Sequence, residues 1–294
     1  MVAIPQLVVD CRGTLLEGPL WIPETGQLWF LDLLGPAIHR YDPLRDRHER
    51  IVLDGSKPLG CLARGPGEGS LLLARREGIF RLDPGSLATA FWTDPNARFI
   101  DTACNDGKIG PDGALWLCVD DLAEQEPRGV LWRVAPDGSA AVIDAGFAVG
   151  NGPAFAPDGR TMYFSDSMGA RVLAYDLVPE LGEVRSRRVF ATLGGEAGLP
   201  DGMTVDVEGH LWLAHWGGSR VSRYAPDGSV ERVIPMPVPN VTSVAFAGPE
   251  LDTLYVTTAR EGMTQEQLEA APQAGGLYRL EVGIRGRLEP VMPG

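Results

Sequence analysis

The stretch APDGRTMYFSD at residues 156–166 joins a Pro-Asp-Gly turn to a short apolar and aromatic segment, which is the pattern of a tight turn followed by a β-strand. Similar segments recur along the chain, with a large apolar or aromatic residue at the place of Tyr163. These anchors are Trp29, Leu72, Trp116, Tyr163, Trp212 and Tyr255. They are separated by 43–49 residues, a period that indicates a propeller blade or a helical array. Because the segments are short and strand-like, they favour the propeller.

A second strand-like segment follows each anchor, as in RVLAY at residues 171–175, and most of these end in Asp-Pro or Pro-Asp-Gly turns. Six repeats of four strands predict an all-β fold, a six-bladed β-propeller with four antiparallel strands per blade. We expect residues 1–294 to form one domain. Residues 6–10 are predicted to supply the outer strand of the last blade and close the ring. Residues 263–271 are the one helical candidate.

The composition excludes several classes of partner. A net charge of −13 argues against nucleic acids and anionic membranes. No apolar run approaches the ~20 residues that span a bilayer, and the N-terminus does not have the pattern of a signal peptide. The four cysteines show no metal-like spacing, and His39 and His48 are interpreted as structural or solvent-exposed. These features predict a reduced, cytoplasmic protein, with a monomer expected for a closed ring.

Four repeats begin with an oxygen-bearing side chain, at Glu17, Asn105, Asn151 and Asp201. Each precedes the innermost strand of its blade, so all four are predicted to meet at one mouth of the central channel. Two carboxylates and two amides suit a single hard divalent ion, with Ca²⁺ expected first and Mg²⁺, Mn²⁺ or Zn²⁺ as alternatives. The opposing interpretation is that Asn-Gly and Asp-Gly are turn dipeptides. Their shared position in the repeat favours the metal site.

These motifs resemble the senescence-marker/gluconolactonase family, also called regucalcin-like. The resemblance rests on residues 17–21, 105–108, 151–153, 201–203 and 216–218. It implies a six-bladed propeller whose catalytic metal is held by Glu17, Asn151 and Asp201, with Asn105 close to metal and substrate. It also implies hydrolysis of sugar-acid lactones.

The chain departs from the family pattern on the substrate side. Ala103 stands where sugar-lactone members usually carry Arg. The acidic substrate contact of the family has no clean match, although Asp120, Asp121 and Glu124 are candidates. The identity of the lactone is therefore open.

The predicted mechanism is metal-assisted hydrolysis of a cyclic ester. The metal would polarise the carbonyl and lower the pKa of a bound water. Asp201 is the candidate general base, Glu17 the alternative base, and Asn105 would orient substrate or water. The further substrate contacts predicted are Asp121, Trp216 and Cys104, which lie on or beside the inner end of a blade.

Three other interpretations remain open. Cys104 could act as a nucleophile, although no base adjoins it in sequence. The same metal could serve a phosphotriesterase-like hydrolase with Asp201 attacking directly. A non-catalytic metal-binding platform is the third, because a propeller fold does not fix a function.

Overall fold

The computed structural model describes residues 3–55, 57–67, 69–99 and 101–294. Its strands form six separate four-stranded antiparallel sheets arranged as the blades of a propeller, as the repeat predicts. The strands in chain order are β1 (Gln6–Val9), β2 (Leu16–Ile22), β3 (Gln27–Asp32), β4 (Ala37–Asp42), β5 (Arg47–Val52), β6 (Leu59–Arg64), β7 (Leu71–Arg75), β8 (Gly78–Leu82), β9 (Thr89–Thr93), β10 (Thr102–Ile109), β11 (Leu115–Asp121), β12 (Gly129–Val134), β13 (Ala140–Phe147), β14 (Gly150–Phe155), β15 (Thr161–Asp166), β16 (Arg171–Val178), β17 (Glu183–Thr192), β18 (Leu199–Val205), β19 (Leu211–Trp216), β20 (Arg220–Tyr224), β21 (Val230–Pro235), β22 (Val241–Ala247), β23 (Thr253–Thr258) and β24 (Leu277–Glu281).

The first blade is β2–β5, and the next four blades follow in steps of four strands. The sixth blade has the order β1-β24-β23-β22, so the N-terminal strand completes the blade that the C-terminal part begins. Strand β1 pairs with β24 through Gln6↔Arg279, Leu7↔Tyr278 and Val9↔Leu277. The predicted ring closure by residues 6–10 is therefore confirmed.

The predicted helix is also present, as α1 (Gln265–Ala270) in the loop before β24. A capping box begins it: the Gln267 backbone N–H donates to the Thr264 hydroxyl, and the Thr264 N–H donates to the Gln267 side chain. No helix among the described residues is long and apolar enough to cross a membrane.

The core lies between the blades. Six clusters of buried side chains each draw on two neighbouring blades, including one that joins the last blade to the first through Tyr41 and Tyr255. The anchors Trp29, Trp116 and Trp212 are fully buried there. Because every blade buries one face on each neighbour, the packed core is continuous around the ring.

The innermost strands are irregular where the predicted ligands lie. In β2 the register passes from Glu17↔Leu31 to Leu20↔Trp29, so two residues of β2 oppose one of β3. The same shift follows Cys104 in β10, Asn151 in β14 and Pro200 in β18. A bulge re-aims side chains away from the ladder. It therefore lets the ligand side chains leave the blade and enter the channel.

The C-terminal segment crosses the opposite end of the channel. The Val207 backbone N–H, beyond β18 in the fifth blade, donates to the Arg285 carbonyl at 3.1 Å. Lys108 near the end of β10 pairs with Glu289 at 2.8 Å. The Met292 N–H reaches the carbonyl of Arg64, the last residue of β6 in the second blade. Blades two and five face each other across a six-membered ring, so the segment passes over its axis.

Candidate active site

A cavity of about 390 Å³ opens at the end of the ring where the innermost strands begin. Glu17, Asn105, Asn151 and Asp201 all line it, from the first, third, fourth and fifth blades. The structure thus brings together the four side chains that the repeat predicts to converge. The remaining lining residues are Leu15, Leu33, Leu34, Pro58, Ala103, Cys104, Asp120, Asp121, Leu122, Glu124, Val149, Ser167, Met168, Leu199, Pro200, Trp216, Glu261 and Gly262.

The two amides are held in fixed orientations. The Asn105 Nδ2 group donates to Asn151 Oδ1 at 3.0 Å and to the Gly150 carbonyl at 3.0 Å. Asn151 Nδ2 donates to Ser167 Oγ at 3.1 Å. Both amide nitrogens are engaged with protein acceptors. The Asn105 oxygen has no donor among the described residues, and the Asn151 oxygen, which already accepts one hydrogen bond, keeps a second lone pair, so both oxygens can accept a cation or a substrate proton.

The two carboxylates of the ligand set enter the cavity from the first and fifth blades. Glu17 accepts the Gly18 backbone N–H at 3.1 Å. The backbone of Asp201 is tied to the neighbouring blade by the Ser165 hydroxyl, which donates to the Asp201 carbonyl at 2.9 Å. The adjacent Gly202 is required by packing, since a Cβ there would lie 2.2 Å from Ser243 Oγ. The position of Asp201 is therefore set by backbone contacts on both flanks.

Electrostatics in the cavity favours a bound cation. Burial raises the pKa of Glu17 well above its ordinary value, and the nearby charge of Asp201 adds to the rise. Burial and the charge of Asp106 raise the pKa of Asp201 in the same way. Within the described chain, no lysine or arginine forms an ion pair with Glu17 or Asp201. Two buried carboxylates with two amide oxygens and no protein counter-charge fit a hard divalent metal.

Asp106 lies behind the ligand set and ties two blades together. Its carboxylate accepts the Gly107 N–H at 2.7 Å and the Gly152 N–H at 2.9 Å. Burial raises its pKa to about 6, against the lowering effect of Lys108. The contact with Gly152 fixes the bulge that presents Asn151. Asp106 thus supports a ligand loop.

The adjacent acidic residues Asp120 and Asp121 have different roles in the wall. The Asp121 carboxylate accepts from the backbone N–H groups of Gln125 and Glu126 and from Arg128, which together hold the following loop. The Asp120 Oδ1 atom accepts the Gly150 N–H at 2.9 Å and the Cys118 thiol at 3.2 Å. Its other oxygen has no protein donor among the described residues. Asp120 is therefore the better candidate for a substrate contact, although Asp121 was the one predicted.

Asp120 also lies directly opposite Ala103 in the β10–β11 register. At the position where the resemblance leads us to expect an arginine, a small side chain therefore faces a carboxyl group. Burial raises the pKa of Asp120 to about 8, so a protonated carboxyl is available near neutral pH. This part of the wall can donate or accept a hydrogen bond, whereas an arginine can only donate.

Cys104 and Trp216 both line the cavity, as predicted. Cys104 is buried, and burial raises the pKa of its thiol to about 12. A thiol held in its protonated form is a poor nucleophile. The geometry therefore leaves Cys104 as a wall residue and disfavours the covalent route.

Asp32, at the end of β3, has a structural role. Asp32 accepts the backbone N–H groups of Thr14, Leu15 and Gly35, as loop-binding carboxylates do. Sequence reasoning did not identify Glu261, which lines the cavity from the loop after β23. Its only signal was its place after the second strand of a blade.

Comparison with known proteins supports the fold and shows the family. Residues 15–260 match the model of the SMP-30/Gluconolactonase/LRE-like region. A pentonolactonase from Haloferax volcanii is 34% identical over 287 residues, covering 96% of both chains. An L-arabinolactonase from Azospirillum brasilense is 34% identical over 281 residues, covering 92% of this chain and 90% of its own. The crystal structure of a calcium-binding protein, regucalcin from Agrobacterium tumefaciens, superposes with a TM-score of 0.94 at 28% identity, covering 99% of this chain and 98% of that one.

Proposed function

Because this chain belongs to the SMP-30/gluconolactonase family, we propose that it is a hydrolase of lactones, acting on a sugar-acid type of lactone with one divalent metal. The observation that carries the proposal is the convergence of Glu17, Asn105, Asn151 and Asp201 on one cavity. The relatives named as pentonolactonase and L-arabinolactonase support the substrate class.

The residues that would hold the metal are Glu17, Asn151 and Asp201, with Asn105 beside them. Ca²⁺ is the first candidate, since all donors are oxygens and one structural neighbour is a calcium-binding protein. When bound, the metal would polarise the lactone carbonyl and make water easier to deprotonate. Among the residues that the structure describes, no lysine or arginine pairs with Glu17 or Asp201, which supports this assignment.

The side chains of the cavity supply the remaining steps. Asp201 is proposed to take a proton from the attacking water, because its carboxylate lines the cavity within the ligand set, where one oxygen would hold the metal and the other would reach the water. Asn105 orients the lactone or the water through its free amide oxygen. Glu17 is the alternative base.

The substrate side of the cavity combines polar and apolar walls. Asp120 and Glu124 can bind hydroxyl groups in place of the family's arginine. Leu33, Leu199 and Met168 provide an apolar surface on other parts of the wall. We therefore propose a lactone with fewer hydroxyl groups on the side that faces the leucines.

The apolar wall also favours a second candidate, a phosphotriesterase-like hydrolase that uses the same metal. In that reaction a phosphoryl oxygen would take the place of the lactone carbonyl. A non-catalytic metal-binding platform is the remaining alternative. These candidates differ in what the protein turns over, so one substrate panel separates them.

The test is a pH-indicator assay of chelated protein with aldonolactones, simple γ- and δ-lactones and an aryl phosphotriester. Each is measured before and after addition of Ca²⁺, Mg²⁺, Mn²⁺ or Zn²⁺. We expect metal-dependent lactone hydrolysis that Asp201→Asn reduces at least ~100-fold, as is typical for loss of an acid–base group. Asp227→Asn is the matched control, because Asp227 is an exposed turn residue outside the cavity.

Three results would contradict parts of the proposal. Turnover of the phosphotriester alone would assign the second candidate. Tight metal binding without turnover of any substrate would support the platform. Full activity of Asp201→Asn with metal present would exclude Asp201 as the base.

A further inference from the structure

Three side chains of metal-ligand type meet at the seam between the last and first blades, outside the cavity. Cys11 follows β1, His39 lies on β4, and His48 lies on β5. One ligand atom from each lies within 4.8 Å of the other two. Their separation in sequence, 28 and 9 residues, gives no metal-like spacing, so it is the folded ring that brings them together.

The two imidazoles are stacked and hydrogen-bonded. Their centroids are 5.0 Å apart, and Nδ1 of His39 lies 2.8 Å from Nε2 of His48. A hydrogen bond between two ring nitrogens requires one of them to be unprotonated, so a lone pair is present at the cluster. The ring of Phe30 stacks on His39 at 4.8 Å and fixes its plane.

One ring nitrogen of His39 also lacks a hydrogen-bond partner in the described part of the chain. Its side chain is fully buried, and its Nε2 atom has no hydrogen-bond partner among the described residues. Zn²⁺ at the 2.8 Å pair would bind Nδ1 of this ring, so Nε2 would not itself be a ligand. Because no group of the described chain pairs with Nε2, this atom can carry the ring proton and leave the Nδ1 lone pair for the metal.

The charged groups around the cluster also affect how well it would bind a cation. The carboxylates of Asp10 and Asp32 lie close enough to Cys11 to act on its charge, and Arg50 opposes them. Asp32 is engaged with three backbone N–H groups and is therefore part of the surroundings rather than a ligand. The Leu277 backbone N–H faces the Cys11 sulfur, which would help to hold a thiolate.

We propose that Cys11, His39 and His48 form a Zn²⁺ site at the seam. Zn²⁺ binds thiolate and imidazole in tetrahedral geometry, with metal–nitrogen bonds of about 2.0 Å that place two nitrogens about 3.3 Å apart. The histidine nitrogens at 2.8 Å must separate by roughly half an ångström, and the exposed His48 is free to make this movement. A water molecule would complete the tetrahedral coordination.

The ligand class separates this site from the cavity. The cavity offers only oxygen atoms from Glu17, Asn105, Asn151 and Asp201, which suit hard cations, whereas the seam offers sulfur and nitrogen. On binding Zn²⁺, the Cys11 thiol releases its proton to solvent, and no oxidation or reduction is involved.

A bound Zn²⁺ would cross-link the last and first blades where the ring closes. Strand β1 joins β24 at three paired positions, with an irregularity between Leu7 and Val9. Zn²⁺ would link the segment that follows β1 directly to β4 and β5 of the first blade. The metal would therefore reinforce the shortest pairing in the ring.

The first test uses Co²⁺ as a spectroscopic probe for Zn²⁺ in the chelator-treated, full-length protein. A thiolate ligand produces a near-ultraviolet charge-transfer band that an all-oxygen site cannot produce. We expect the band to saturate at one Co²⁺ per chain and to disappear when Zn²⁺ is added. Cys11→Ser should abolish it, and Cys104→Ser, the matched control at the cavity wall, should retain it.

The second test measures thermal unfolding with and without Zn²⁺. In the Asp201→Asn background, which impairs the cavity site, Zn²⁺ should raise the unfolding temperature, and a further Cys11→Ser or His48→Gln substitution should remove that rise. Absence of the Co²⁺ band, a band that persists in Cys11→Ser or depends on Cys104, or a Zn²⁺ effect that requires Asp201 would each overturn the proposal. None of these results depends on lactone turnover.

Discussion

Replacing Asp120 with asparagine should stabilise the metal-free protein increasingly as the pH rises. Burial raises the pKa of this carboxyl from 3.8 to about 8. A carboxyl whose pKa is higher in the folded state binds its proton more tightly there. Its contribution to stability is therefore complete below about pH 4 and is lost as the pH rises toward about 8. Asparagine keeps the oxygen that accepts the Gly150 N–H and removes the ionisation.

The size of the effect follows from the two pKa values. Between pH 5 and pH 9 the wild type should lose about 4 kcal/mol through this one group if no water screens it. Asp120 lines an open cavity and its side chain is only partly buried, so we halve the value for screening to about 2 kcal/mol.

The assay is urea unfolding in chelator at pH 5, 7 and 9, followed by tryptophan fluorescence. The difference in unfolding free energy between Asp120→Asn and the wild type should grow by about 2 kcal/mol across this range. Asp227→Asn is the control: its carboxyl is exposed and its pKa is lowered by Ser229, so its difference should stay constant. A constant difference for Asp120→Asn would refute the reasoning.

Two further predictions concern packing. Asp206→Ala should cost about 3 kcal/mol in urea unfolding, because it leaves the Trp212 indole N–H without a partner and removes one of the carboxylates that pair with the buried Arg223; a loss below about 1 kcal/mol would contradict this. Gly202→Ala should lower metal-dependent activity while the protein remains folded, since the added Cβ would press on Ser243 beside the ligand set. Measurement of turnover and of the unfolding temperature on the same variant checks this prediction, and unchanged turnover would contradict it.

The fold was predictable because its signals are local. A Pro-Asp-Gly turn and a short apolar strand with an aromatic anchor, as around Tyr163, specify a hairpin with little help from the rest of the chain. Repetition at a constant spacing then specifies the ring. Closure by residues 6–10 followed from the missing fourth strand of the last blade.

Only the residues of the candidate site that stand at repeated positions could be predicted from the sequence. Glu17, Asn151 and Asp201 lie in or directly beside bulges at corresponding places in the repeat, so their convergence could be inferred from position alone. Glu261 lies in a loop that no other blade repeats. The choice between Asp120 and Asp121 depends on the register at a strand end, where one residue's shift exchanges the two faces.

The Cys11, His39 and His48 cluster could not be inferred for a different reason. Its members come from two blades that are neighbours only after the ring has closed. Spacing along the chain gives no sign of this contact, because the segment after β1 meets β4 and β5 of the neighbouring blade only in the folded ring. Convergence of this kind is visible only in the folded molecule.

The C-terminal segment gives the channel a floor. Residues 285–292 pass from the fifth blade to the second beneath the axis, so in the described part of the chain they cover that end of the channel. In the proposed reaction, substrate, water and product would then share the mouth where the innermost strands begin. Side chains around that mouth would affect the rate of exchange without touching the bond that breaks.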